Sequence, residues 1–194
     1  GLIGAEFSKL IQGKTSVDIV LVPLTTIITG GFTGYYIAPF ISKFMTFVGS
    51  IINLATEMHP IPMGIIVSVI MGIALTLPIS SAALAISSGL SGLAAGAGTV
   101  GCATQPIGFA VASYRENGFG GFIAQGIGTS MLQIPNIIKN PKIWLPPIIA
   151  SAILGPISTT ILKMESHLMG AGRGTSGLVG KFAMIDTMGA STKV

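Results

Sequence analysis

Between Pro60 and Tyr114 the chain carries no charged side chain. That stretch is far too long for one buried helix of a soluble domain, and it holds enough apolar residues for about two membrane crossings at roughly 20 residues each. It is also rich in small residues, as in the run Ser87-Ser88-Gly89-Leu90-Ser91-Gly92-Leu93-Ala94-Ala95-Gly96-Ala97-Gly98. Lipid offers the backbone no hydrogen bonds, so such a segment is either helical or irregular and wrapped in protein. The combination predicts a polytopic, all-α integral membrane protein with a structured interior that does not face lipid. Carrying something across a membrane is the leading reason to build one.

Composition supports this reading. Charged residues make up only 8% of the 194 residues and hydrophobic ones 50%, with mean hydropathy +0.82. Soluble domains carry about 25% charged residues, so a soluble domain is excluded. The net charge of +4 reflects loop orientation in a membrane protein, and no nucleic-acid partner is inferred from it. Cys102 is the only cysteine, so no intramolecular disulfide is possible; it sits in an apolar run as a small buried residue. Residues 1–13 lack the basic start and compact apolar core of a signal peptide. The chain begins with Gly1 rather than Met, as a processed chain or a piece of a longer polypeptide would.

The whole of 1–194 reads as one membrane domain, with a short amphipathic helix over 1–13 and a polar, Gly-rich tail over 163–194. Residues 19–42 are uncharged and long enough to span; Pro23 and Gly30-Gly31 predict an irregular helix, and Gly30-x-x-x-Gly34 is a close-packing signal. Residues 44–56 are too short to span and predict a re-entrant or interfacial helix. Residues 61–77 form the cleanest span, closed by Pro78. Residues 80–114 read as a helix plus a broken piece, divided between Gly96 and Pro106. Two further spans, 119–138 and 143–162, follow the polar turns at Arg115-Glu116-Asn117-Gly118 and Lys139-Asn140-Pro141-Lys142, and residues 178–188 suit a short helix. The expected total is about five or six crossings plus one or two partial ones. Positive charge does not decide orientation: Lys139 and Lys142 mark one turn as cytoplasmic, yet the tail, one crossing later, carries Lys163, Arg173, Lys181 and Lys193.

Both histidines occur in one context. Glu57-Met58-His59 precedes Met63-Gly64, and Glu165-Ser166-His167 precedes Met169-Gly170. The recurrence suggests a weak internal repeat, and repeats with discontinuous helices are a signature of secondary transporters. Glu and His there suit hydrogen bonding to sugar hydroxyls or a proton relay; the plainer reading is two loop ends meeting water. Glu-x-His is a poor spacing for metal on one helical face, where i and i+4 are neighbours, so no metal site and no cofactor are expected. Gly172-Arg173-Gly174-Thr175-Ser176-Gly177 has the glycine spacing of a dinucleotide fingerprint but lacks the strand that must precede it. Arg173 in such a loop suits an anion, although a flexible polar loop is the favoured reading. Gln105 and Asn136 are amides in membrane segments, which need a partner in protein, water or substrate. They are candidate polyol contacts, with helix-to-helix hydrogen bonding as the equal alternative.

The runs Lys14-Thr15-Ser16-Val17-Asp18-Ile19-Val20-Leu21-Val22-Pro23, Glu57-Met58-His59-Pro60-Ile61-Pro62-Met63-Gly64, Gly101-Cys102-Ala103-Thr104-Gln105-Pro106-Ile107-Gly108 and Gly170-Ala171-Gly172-Arg173-Gly174-Thr175-Ser176-Gly177, with Gly30-Gly31, resemble the membrane-embedded IIC proteins of the bacterial sugar phosphotransferase system, in the branch that includes PfoR-type regulators. The resemblance runs through nearly the whole chain, and members are usually longer. It implies a multi-pass permease of the bacterial cytoplasmic (inner) membrane, commonly a homodimer in the lipid bilayer. It further implies a sugar or polyol ligand and a soluble, phosphorylated IIB partner that carries the phosphoryl group, with no catalytic activity in this chain alone. In IIC proteins a Glu and a His contact the sugar. Glu57 and His59 match those roles here, although the inserted Met58-His59 departs from the usual Thr-Glu-Pro form. Gln105 and Asn136 are secondary contacts, and Glu165, His167 and Arg173 a second polar site. The alternatives are a non-transporting membrane regulator of the same fold and an ion- or proton-coupled transporter.

Overall fold

The structure is a computed structural model that describes residues 2–12 and 18–189. The chain forms two compact units, Gly1–Phe47 and Val48–Val194. Among the described residues there is no strand, and Val20–Thr56 and Pro141–Ile161 are long and apolar enough to cross a membrane. The all-α membrane fold expected from the sequence is what the chain adopts.

The first unit contains α1 (Leu2–Lys9) and most of α2 (Asp18–Thr56). Thr25, Thr26, Thr29 and Thr33 each donate their hydroxyl to the carbonyl four residues back, at 2.5–2.8 Å. These bonds satisfy the hydroxyls inside an apolar helix. Gly4 brings α1 close to the Thr26 carbonyl, and the Ser8 hydroxyl bonds the Gly4 carbonyl at 2.8 Å and meets Thr26 Oγ1. Two expectations change here. The helix runs unbroken through Lys43, so 44–56 is no separate partial helix: an exposed lysine leaves the backbone ladder intact and carries its charge outward. Nor do Gly30, Gly31 and Gly34 pack closely; a Cβ at any of them would meet nothing within 4 Å among the described residues.

In the second unit α3 (Pro60–Thr76), α5 (Gly92–Ala112) and α8 (Leu145–Pro156) make the core. Small residues let their backbones touch. Gly101 lies on the Ser68 carbonyl, Gly155 on the Gly64 carbonyl, and a Cβ at Gly72 would stand 2.9 Å from the Gly101 carbonyl oxygen. Hydroxyls tie the same helices: Ser68 Oγ donates to the Ser151 carbonyl at 2.7 Å, and Thr159 Oγ1 to the Pro60 carbonyl at 2.7 Å. Cys102 is buried, its thiol on the Met71 carbonyl at 3.3 Å.

The broken segment is broken elsewhere than expected. Residues 96–106 lie inside one continuous α5, Pro106 included, and the interruption falls at residues 88–91, after α4 (Ser81–Ser87). Residues 119–138 are not one span. After α6 (Tyr114–Ile123), left-handed at Gly118, come a π-helical turn Ala124–Gly128, extended Thr129, a tight turn Ser130–Gln133 and α7 (Ile134–Lys139). Gly126 and Gly128 before Thr129 and Pro135 after it remove side-chain support and a backbone donor. The chain continues through the turn Pro141–Trp144, α8 and a π-helical turn Ile157–Ile161 to α9 (Leu168–Ala171) and α10 (Val179–Met188). The Gly-rich tail segment is no flexible loop. Gly174, at φ +52°, lies on the Cys102–Ala103 backbone, Gly172 on Ser81 and Ala82, and Thr175 is buried.

Candidate functional site

The break between α4 and α5 is built by glycine. The N–H of Leu90 donates to the Ala85 carbonyl and that of Gly89 to the Ile86 carbonyl, both at 3.1 Å. This double cap needs a left-handed residue at Gly89, whose φ is +62°. Gly92 is left-handed too, at φ +56°, and extended Ser91 starts α5 without capping it through its side chain. The first-turn N–H groups of a helix have no partner within the helix. Beside them lies a cavity of about 420 Å³ lined by Thr56, Met58, Pro60, Met63, Ser88, Gly89, Ser91, Leu93 and Ala94. The Ser88 hydroxyl is buried there with no hydrogen-bond partner among the described residues.

Two connections meet at this helix start. Met58 and Pro60, which line the cavity, alternate in the chain with Glu57 and His59, both exposed. On another side the Ser166 N–H donates to the Gly92 carbonyl at 3.3 Å, and Gly96 lies against the Met164 carbonyl, with Glu165 N 3.3 Å from where its Cβ would stand. The fold thus brings both Glu-x-His segments to the first turns of α5. The second pair also does local work. His167 Nδ1 accepts the Met169 N–H at 3.2 Å, capping α9, and His167 Nε2 lies 3.8 Å from Asp186 Oδ2. The Glu165 side chain is exposed, and so is Arg173, which joins neither residue in a hydrogen bond or ion pair.

Gln105 sits farther along α5, fully buried. Its Oε1 accepts the Trp144 indole N–H at 3.1 Å and, more weakly, the Thr76 hydroxyl at 3.5 Å. Thr76 shares a 2.9 Å hydrogen bond with Ser130. The Gln105 Nε2 amide has no hydrogen-bond partner among the described residues. An orphaned buried amide is a costly feature, worth about 1–3 kcal/mol. Thr76, Ser130 and Trp144 were not among the sequence candidates; no local pattern ties residues 54 and 39 positions apart. Asn136 lies beyond the far end of α5 and donates to Gln133 Oε1 at 2.9 Å. The four principal candidates therefore lie at three levels of one helix. At about 1.5 Å per residue, Ala94 and Gln105 are about 16 Å apart along α5, too far for one monosaccharide to touch both.

A family model described as "Phosphotransferase system, EIIC" matches residues 1–194. No curated protein and no solved structure matches the chain.

Proposed function

The chain belongs to the phosphotransferase-system EIIC family, a membrane permease component of that system, and from that premise we propose that it carries a sugar or polyol held at the break between α4 and α5. The observation that carries this reading is the convergence of both Glu-x-His connections on the start of α5, beside a cavity of about 420 Å³. Clefts of about 300–1,000 Å³ hold small molecules. Glu57 and His59, exposed beside the lining residues Met58 and Pro60 and outside the cavity wall, accept and donate to hydroxyls that project from the cavity, and the Ser88 hydroxyl in the wall supplies a further contact. A carboxylate-to-hydroxyl hydrogen bond is charge-assisted, so Glu57 fixes the substrate most strongly. Gln105 and Asn136, out of reach of a substrate held at the break, take hydroxyls only as the substrate moves along α5, while Glu165 is a polar group of the second connection and Arg173 lies beyond α9.

The phosphoryl group comes from a separate, phosphorylated IIB-type partner, which transfers it to a substrate hydroxyl. The resemblance to IIC proteins supports a homodimer in a bacterial cytoplasmic membrane with several crossings. The family match across both compact units fits one membrane domain.

Uptake of a radiolabelled sugar panel into vesicles carrying the protein, with and without a phosphorylated IIB partner, tests the proposal. Uptake that needs the partner and is lost in Glu57→Gln and His59→Ala is the expected result. Binding without uptake under both conditions would make the protein a membrane regulator instead. A pH-sensitive transport current without phosphorylation would make it an ion-coupled carrier.

A further inference from the structure

A second polar cavity, of about 370 Å³, lies at the opposite end of α5. Phe109, Ala112 and Ile143 give it an apolar wall; Ser113, Glu116, Asn117, Gln133 and Asn136 give it the rest. Three pieces of backbone bring these together. The Ser113 carbonyl accepts the N–H groups of Glu116 and Asn117 at 3.2 and 3.0 Å, which turns the chain out of α5. Left-handed Gly118 ends that turn, and Gly121 leaves room for the Asn117 side chain, which a Cβ there would strike. Across the cavity, the tight turn before α7 places Gln133, only 6% exposed, one helical turn from Asn136.

The hydrogen-bond pattern narrows the occupant. Asn136 donates to Gln133 Oε1 at 2.9 Å, which leaves the Gln133 amide N–H groups and the Asn136 carbonyl oxygen for something else. Ser113 donates to Gln125 Oε1 at 3.0 Å and keeps its lone pairs. The Glu116 side chain has no hydrogen-bond or ion-pair partner among the described residues. An anion is disfavoured, since a carboxylate lines the cavity and no cationic side chain does. A metal cation wants oxygen from every side, whereas Gln133 presents N–H donors. Donors and acceptors mixed on one side and carbon on the other suit a neutral polyhydroxy compound, with C–H groups on Phe109 and hydroxyls on the amides and Glu116.

We infer that this cavity is a second hydroxyl-binding site, for a neutral sugar or polyol, at the end of α5 remote from the α4–α5 break. The inference rests on the permease reading above. Ala94 and Phe109, each lining one cavity, are about 22 Å apart along the helix at about 1.5 Å per residue. One ligand cannot fill both, and a substrate that follows α5 across the membrane meets both in turn.

Trp144 is the only tryptophan in the chain, directly follows cavity-lining Ile143 and bonds Gln105, and so reports on this half of α5 and not on the α4–α5 break. The full chain in detergent is titrated with glucose, mannitol and galactitol while Trp144 emission is followed, and radiolabelled forms of the same compounds are counted by equilibrium dialysis. A saturable emission change with one of the three is expected, together with two bound molecules per chain. Glu116→Gln and Asn136→Ala, both at exposed positions, are expected to raise the emission-derived Kd about tenfold each. Glu57→Gln is expected to leave that titration unchanged while removing the other bound molecule. One bound molecule per chain, sensitive to Glu57→Gln and silent at Trp144, overturns this inference and leaves the permease reading standing. An emission change unaltered by both cavity variants overturns it too. No binding of any of the three by either readout overturns both.

Discussion

Two glycine sets in this protein have opposite surroundings. In α2, Gly30 and Gly34 face open space, and with Thr33, Ile37 and Ile41 they line an apolar groove of about 570 Å³. In the bundle of α3, α5 and α8, glycine after glycine lies under a neighbouring carbonyl: Gly101 under Ser68, Gly155 under Gly64, Gly96 under Met164. A small-x-x-x-small pattern permits close approach, but a facing backbone is needed to use it. The two sets should therefore answer mutation in opposite ways.

The largest effect belongs to Gly101→Leu. The side chain would have to displace the Ser68 carbonyl, a backbone group held by α3, so the loss should exceed the roughly 3 kcal/mol of ordinary overpacking. Failure to recover a monodisperse protein, or a large fall in melting temperature in detergent, checks it. Gly96→Leu comes next, because it pushes the second Glu-x-His connection off the start of α5. It should lower thermal stability and substrate binding together, and an unchanged melting curve would refute the packing role. Gly92→Ala is smaller and different in kind. Nothing stands within 4 Å of a Cβ there, yet φ is +56°, so the cost is the left-handed backbone, about 1–2 kcal/mol. The smallest effect, and of opposite sign, is at Gly34→Ala. With open space and a helical backbone it should raise stability by about 0.5–1 kcal/mol. A loss there instead would mean that α2 uses its glycines against another chain, readable as a change in oligomeric state by light scattering.

Much of the fold was legible in composition and charge. Pro60 and Pro78 bracket α3 and Lys139 and Lys142 the turn at Asn140; the expected segments 61–77 and 143–162 match the shorter apolar helix Pro60–Thr76 and the span-length Pro141–Ile161 closely. The position of the helix break was not legible, because Gly89-x-x-Gly92 and Gly92-x-x-x-Gly96 look alike in sequence. Only the first holds left-handed backbone at both glycines; Gly96 is helical because the Met164 carbonyl fills the space a side chain would take. For the same reason the Gly-rich run after Gly170 looked mobile, though it packs on α5. In the candidate sites, Glu57, His59 and Asn136 stood out as polar groups in apolar surroundings. The Trp144–Gln105 bond and the cavity that gathers Glu116 with Gln133 depend on a turn at Thr129 that no periodicity announces.

The buried Gly-rich segment also bears on how the protein is made. Ser81 Oγ donates to the Gly172 carbonyl, and the partners are 91 residues apart. At roughly 5–20 residues per second, the ribosome delivers Gly172 about 5–18 s after Ser81. For that interval α4 and α5 wait with an open flank: the Ser81 hydroxyl lacks its acceptor, and the backbone at Cys102 and Ala103 lacks its cover. This later-made segment closes that flank, so an arrest or truncation ahead of Gly174 leaves the backbone of α4 and α5 uncovered there.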